Sequence, residues 1–289
     1  MAFLVQISLR ERKYFASINS EPEFFVGKKV SYQQNWGLMN TTSLPAEQYN
    51  PDSYTSNYGY WAYFINPIAM CESSGSFHCV NTYDRAYFTF GFLQYAAHVA
   101  NGDFVKFLQK LLATPLGDKY FPDLELKNNN IYRVASGVRT QLENSDSAQK
   151  LKTYLNPSLG EVEEIEVINS AKFIHWSKDS KHIDIQVECG VNHIKDAMSD
   201  YSRRYDLDGR SDKVCLVVAD IRHQGRGKSV EIINALNTSD DDQAYKNLLE
   251  IGEHAYQSRI ETLKQTISTM AAQGKFGHKK YSSVQNDFI

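Results

Sequence analysis

Residues 60–75, YWAYFINPIAMCESSG, are apolar almost without a break until Glu72 and then reach Gly75. An apolar run of this length that ends on glycine predicts a short buried helix with a Gly C-cap, and Pro67 then belongs near its first turn. Residues 80–91, VNTYDRAYFTFG, alternate and are rich in β-formers, which predicts a hairpin or small sheet. The next stretch, residues 92–115, carries Phe104, Phe107, Leu108, Leu111 and Leu112 at helical spacing and ends before Pro115; Gly91-Phe92-Leu93-Gln94 is read as its opening.

Elsewhere the patterning is plainer. Residues 1–58 combine a short strand-like start, a charged patch and the turn-rich stretch NTTSLPAEQYNPDSYTSNYG, and are expected to form an extension packed on the main domain. Residues 121–136 read as loop or short strands, and 160–180 and 182–205 as helices. KVCLVVADIRHQ (213–224) reads as a buried helix ending at Gly225-Arg226-Gly227, with a buried strand as the alternative that periodicity leaves open. One long amphipathic helix is expected over 240–272, starting at TSDDDQ with Thr238 or Ser239 as N-cap, and the tail 276–289 is expected to be loosely ordered. The sum is an α+β chain, mainly α, with one small antiparallel sheet and a main domain over 59–275.

Composition narrows the classes. With 289 residues and 42% hydrophobic content the chain supports a sizeable core. A net charge of −3 gives no reason to expect a nucleic-acid partner, and no apolar run approaches the length of a membrane span, so no membrane insertion is expected. The start lacks a basic segment ahead of an apolar one, so synthesis in the cytoplasm without a signal peptide is expected. The four cysteines form no C-x-x-C pair, which argues against a structural zinc site; Cys71 and Cys79 form either a disulfide or two buried thiols. No cofactor is expected. RRYDLDGRSDKVC fails as an EF-hand because Arg204 and Cys215 fall on ligating positions, while a different calcium loop through Asp206, Asp208 and Asp212 stays open.

The chemistry-bearing residues concentrate between 71 and 95. Glu72-Ser73 followed by Gly91-Phe92-Leu93-Gln94 resembles the Glu-Ser and Gly-Leu-Met-Gln motifs of goose-type lysozymes and soluble lytic transglycosylases. Asp84 with Thr89-Phe90-Gly91 is similar to the Asp-x5-Thr-x-Gly stretch of phage-type lysozymes, with one intervening residue fewer; chitosanases share the same order of Glu, sheet and Asp. The motifs cover about 25 residues. The resemblance to the lysozyme superfamily, including bacteriolytic muramidases injected as toxins by type VI secretion, implies a lysozyme-like fold with a small sheet beside the catalytic helix. It also implies a monomer acting on peptidoglycan strands of the cell wall after non-classical delivery, with an immunity or delivery protein as a further partner.

On that resemblance Glu72 is the general acid, Asp84 the base and Thr89 the residue holding the attacking water; Ser73, Tyr83, Tyr87, Gly91, Gln94 and Tyr95 are candidates for substrate contact. A glycosidic bond breaks when a protonated carboxyl serves the leaving oxygen, and a Glu at the end of a buried helix is desolvated in the required sense. Inversion, the outcome that the phage-type resemblance implies, requires carboxyls roughly 6.5–9.5 Å apart with room for water. Lytic transglycosylases need the Glu alone. A transglycosylase, a chitosanase and a non-catalytic glycan-binding module are therefore the rival readings. Outside the motifs, an ion pair of Asp220 with Arg222, beside His223, would support the helix that bears Glu72. His98 is read as structural on the following helix, and Ala255-Tyr256-Gln257 resembles the Ala-Tyr-Asn of lytic transglycosylases in two positions of three.

Overall fold

The computed structural model describes residues 2–41 and 47–289; part of the turn-rich connection expected at 40–59 thus lies outside the described residues. In chain order the elements are β1 (Val5–Arg10), β2 (Lys13–Ile18), β3 (Phe24–Tyr32), β4 (Asn35–Met39), a 3-10 turn (Pro51–Tyr54), α1 (Thr55–Tyr58), α2 (Trp61–Ser73), β5 (Val80–Asn81), β6 (Thr89–Phe90) and β7 (Tyr95–Ala96). Then come α3 (Asp103–Leu112), α4 (Gly117–Tyr120), β8 (Leu124–Lys127), β9 (Asn130–Ala135), β10 (Val138–Gln141), α5 (Gln149–Leu155) and α6 (Glu164–Trp176). The remainder holds α7 (Ser180–Tyr205), α8 (Asp212–Gln224), α9 (Ser229–Ala235), α10 (Asp241–Glu250), α11 (Glu253–Ala272) and a hairpin of β11 (Tyr281–Ser282) and β12 (Asp287–Phe288). The chain is α+β, about 46% helical, with a seven-stranded antiparallel sheet. Among the described residues no helix is long and apolar enough to cross a membrane.

Packing divides the chain into two compact units, Met1–Gln48 with Ser76–Cys189, and Tyr49–Gly75 with Gly190–Ile289. The N-terminal residues are thus not a separate extension. β1 to β4 continue directly into β5, β6 and β7 as a meander in which every neighbour pair is antiparallel. The sheet is larger than the expected hairpin or small sheet, and two of its hairpins close on turns that lack the usual sequence signal. Glu11-Arg12 and Gln33-Gln34 both have two consecutive positive φ angles, the geometry of type I′ turns, without a glycine to announce it.

The first unit is packed around aromatic rings. Phe88, Phe90, Phe104, Phe107, Phe121 and Phe173 are fully buried, and Phe90 and Phe107 stack with centroids 6.4 Å apart. Glu166 on α6 is fully buried as well. It completes a capping box with Glu163, and Thr82 Oγ1 donates to its Oε1. Burial pushes its carboxyl up to about 7, against hydrogen bonds that pull the other way.

In the second unit α2 packs on α11 and α10 on α8. Pro67 sits in the middle of α2 rather than in its first turn, so the Tyr63 carbonyl lacks its usual i+4 donor; the helix ends with Ser74 in the left-handed region one residue before Gly75. The run 212–224 is a helix, α8, capped by Ser211, whose hydroxyl accepts from the Val214 N–H. The helix expected over 240–272 is two helices, parted at Ile251-Gly252 where Gly252 has φ +73°. The N-cap of α10 is Asp240, not Thr238 or Ser239; its carboxylate accepts from the Asp242 and Gln243 N–H groups. The tail is ordered. Phe288 stacks on Phe64 with centroids 4.6 Å apart, and Tyr281 is buried.

Candidate functional site

Glu72 is the penultimate residue of α2, and its side chain is 14% exposed. It is held by a chain of buried charge from three further segments of the second unit. Arg259 of α11 places Nη1 2.8 Å from Glu72 Oε1. The same guanidinium donates through Nε to Asp220 Oδ1 of α8 at 3.0 Å, while Nη2 lies 2.8 Å from that oxygen but outside hydrogen-bond alignment. Asp220 accepts on Oδ2 from Arg226 Nε at 3.0 Å, and both of those side chains are fully enclosed. Arg226 Nη1 donates to the Ile251 carbonyl, and its Nη2 has no partner among the described residues.

Two carboxylates and two guanidiniums thus alternate as Glu72, Arg259, Asp220, Arg226. Burial alone would depress the Arg259 guanidinium, but the facing Glu72 and Asp220 more than offset it and hold it above its ordinary range. His223 Nε2 is 3.5 Å from the Glu72 oxygen that Arg259 contacts. Burial lowers the His223 pKa, only partly countered by Glu72, so the ring is a neutral neighbour near pH 7. Cys71 Sγ contacts the Arg259 carbonyl at 3.5 Å, and burial pushes that thiol up to about 12. His223 and Arg259 make their shortest approaches to Glu72 on the same oxygen, Oε1.

Backbone geometry makes room for this arrangement. The loop bearing Arg226 lies against the break between α10 and α11, and a Cβ on Gly252 would meet the Arg226 carbonyl oxygen at 2.7 Å. On the other side of that break Tyr256 leaves helical geometry at φ −128°, so the Ala255-Tyr256-Gln257 triplet sits on a kink just ahead of Arg259. Asp220 pairs with Arg226 and Arg259 in place of the expected Arg222. Neither arginine was marked by sequence; the arginine between two glycines at 225–227 was the available signal.

Ser73 closes α2 and is buried. The other candidates belong to the first unit. Asp84 opens a reverse turn, accepting from the Ala86 N–H on Oδ1 at 2.8 Å and from the Tyr87 N–H on its carbonyl at 2.9 Å. Thr89 lies in β6, paired with Asn81 and Ala96. Tyr83 is half-buried with its ring 6.3 Å from that of Tyr32, and Lys152 Nζ lies 4.2 Å over the Tyr87 ring. Gly91 to Gln94 form a turn between β6 and β7 instead of opening a helix, which begins at Asp103. Gln94 is spent on that turn, its Nε2 donating to the Gly91 carbonyl at 2.9 Å. Gly91 has φ +89°, and a Cβ there would meet Gln186 Oε1 at 2.4 Å. Tyr95 is buried, its hydroxyl donating to the Gln186 carbonyl at 2.6 Å. His98 lies in a turn, not on a helix, and burial lowers its pKa.

The chain matches no family model, no curated protein and no solved structure.

All four cysteines are free thiols, which answers the open question at Cys71 and Cys79. Among the described residues no group of three or more His, Cys, Asp or Glu side chains is placed to hold a metal ion. Asp208 accepts from the Ser283 N–H at 2.7 Å, and Asp206 has φ +53°. Asp212 is buried, its Oδ2 taking the Tyr60 hydroxyl and the Gly277 and Lys279 N–H groups.

Proposed function

We propose that the protein is a glycoside hydrolase of lysozyme-like fold that cleaves the β-1,4 bonds of peptidoglycan, with Glu72 as its general acid. The observation that carries this reading is the buried ionic chain ending on one oxygen of Glu72. Each buried ion costs several kcal/mol of desolvation, and apolar side chains of similar volume would be as stable. A chain of such ions is therefore best explained by what it holds in place. It fixes the carboxyl group in one position, as proton delivery to a leaving oxygen requires. Glu72, once it has taken a proton from solvent, would transfer it to the glycosidic oxygen as the C1–O bond breaks and return to the carboxylate that Arg259 faces. A water would add to C1, with Asp84 as the base taking its proton and Thr89 orienting it; those two roles rest on the sequence motif alone.

The test is incubation with purified peptidoglycan and mass spectrometry of the released fragments. Reducing ends support hydrolysis. Intact glycan in the presence of wild-type protein sinks the proposal. A second reading, a lytic transglycosylase, draws on the Asp84 carboxylate already serving as a turn acceptor. In that reaction the substrate's own hydroxyl adds to C1 and Glu72 suffices, and anhydro sugars would identify it.

A further inference from the structure

Asn66 is an anomaly in α2. Its neighbours Phe64, Ile65, Ile68 and Ala69 are fully buried and apolar, and Asn66 itself is only 9% exposed. Its one hydrogen-bond partner among the described residues is the Met270 thioether, 3.4 Å from Nδ2. A sulfur is a weak acceptor, so most of the hydrogen-bonding capacity of the amide is left for whatever fills the space beside it.

The amide borders a pocket of about 510 Å³ within the second unit, between the Asn50–Asp52 segment, α2 and α11. That volume falls in the range of small-molecule sites. Met70 and Met270 supply its apolar lining. Thr262 and Thr266 also border it, and their hydroxyl protons are donated to the Ser258 and Thr262 carbonyls, so their free lone pairs are acceptors. Gln265 lies on the same wall. The only charges in the lining, Asp52 and Lys275, neutralise one another through contacts of 2.8 and 2.6 Å.

We propose that this pocket binds an uncharged N-acetylated saccharide. Neutral amide and hydroxyl groups suit a ligand that offers both donors and acceptors but no charge. The acetamido group would meet the Asn66 amide through its N–H and carbonyl, and its methyl would rest on the adaptable methionine side chains. The choice of a glycan rests on the function proposed above; the existence of the site rests on Asn66 and the cavity. It would be a binding site separate from the reacting carboxyl, holding a saccharide without cleaving it.

The experiment titrates the protein with the trimer of N-acetylglucosamine, observing the Asn66 side-chain amide by NMR, for wild type, Glu72→Gln, Asn66→Leu and Thr266→Trp. Wild type and Glu72→Gln should bind alike, with the Asn66 amide shifting. Thr266→Trp, with a side chain that fills the pocket, should bind at least about tenfold more weakly while keeping the wild-type melting temperature, a loss of about 1.4 kcal/mol. Asn66→Leu should lose binding, read by calorimetry. An unmoved Asn66 amide at millimolar trimer, or Thr266→Trp binding as wild type does, overturns the proposal. If the trimer binds here and peptidoglycan is never cleaved, the hydrolase reading falls and this site stands; cleavage without binding at Asn66 removes this site alone.

Discussion

Arg259 bonds Glu72 and Asp220 with one guanidinium, Nη1 reaching Glu72 Oε1 at 2.8 Å and Nε reaching Asp220 Oδ1 at 3.0 Å. The planar fork lets a single side chain on α11 fix the ends of α2 and α8 together. Replacing it by leucine leaves Asp220 fully enclosed with Arg226 as its one remaining cation. Arg259→Leu should lose about 3–5 kcal/mol in urea unfolding, and Arg259→Lys should recover only part because an ammonium cannot span both carboxylates. Wild-type stability in Arg259→Leu would contradict the structural role.

Glu72→Gln separates chemistry from folding. Asp220 still pairs with Arg259, so the variant should stay within about 1 kcal/mol of wild type by denaturant titration. Release of peptidoglycan fragments should fall about 100-fold or more. Undiminished release removes Glu72 as the acid.

Asp84 is tested by a pair of substitutions. Asparagine keeps an acceptor for the Ala86 N–H but cannot take a proton, so Asp84→Asn should fold normally and lose hydrolysis. Asp84→Ala should in addition lose about 1 kcal/mol of stability as the turn bond disappears. Full activity in the asparagine variant would favour the transglycosylase reading.

Glu166 makes a prediction about pH. Its carboxyl is raised to about 7 when folded, against 4.5 for the free side chain. Between those values the folded chain holds a proton that the unfolded chain releases, so this group's contribution to stability declines as pH rises from about 4.5 to 7 and is flat on either side. The total decline is about 3 kcal/mol. Glu166→Gln should abolish that slope in denaturant midpoints taken across the window; an unchanged slope would show that the group responsible lies elsewhere.

Gly91→Ala should cost about 2 kcal/mol or more, since it strains a positive φ and drives a methyl group into Gln186 Oε1. Melting temperature reports it. A neutral result would mean that the β6–β7 turn relaxes freely.

Periodicity found the helices because their apolar faces are long enough to repeat, as in α3 with Phe104, Phe107, Leu108 and Leu111 all buried. It also placed Glu72 at the end of a buried helix. Beyond the strand-like start, the hairpins of β1 to β4 stayed hidden because their tight turns use Glu11-Arg12 and Gln33-Gln34 where the usual signal is Asn-Gly. Gly91 is a candidate for substrate contact by sequence, whereas the side chain pressed against it is Gln186, far along the chain. The partners of Glu72 were illegible for the same reason. Arg226 and Arg259 belong to separate segments, and no local pattern reports which charges tertiary packing will bring together.

The bond between Cys71 and the Arg259 carbonyl joins positions 188 residues apart in the chain. α2 therefore leaves the ribosome long before the helix that neutralises Glu72 exists. Until α11 is synthesised, Glu72 and Asp220 have no shared cation, and the second unit cannot close around its segment at 49–75. Docking of α2 on α11 closes a loop of nearly the whole unit, and such distant contacts form more slowly than those between sequence neighbours. A nascent or truncated chain that stops short of α11 carries Glu72 without the guanidinium that holds it in place.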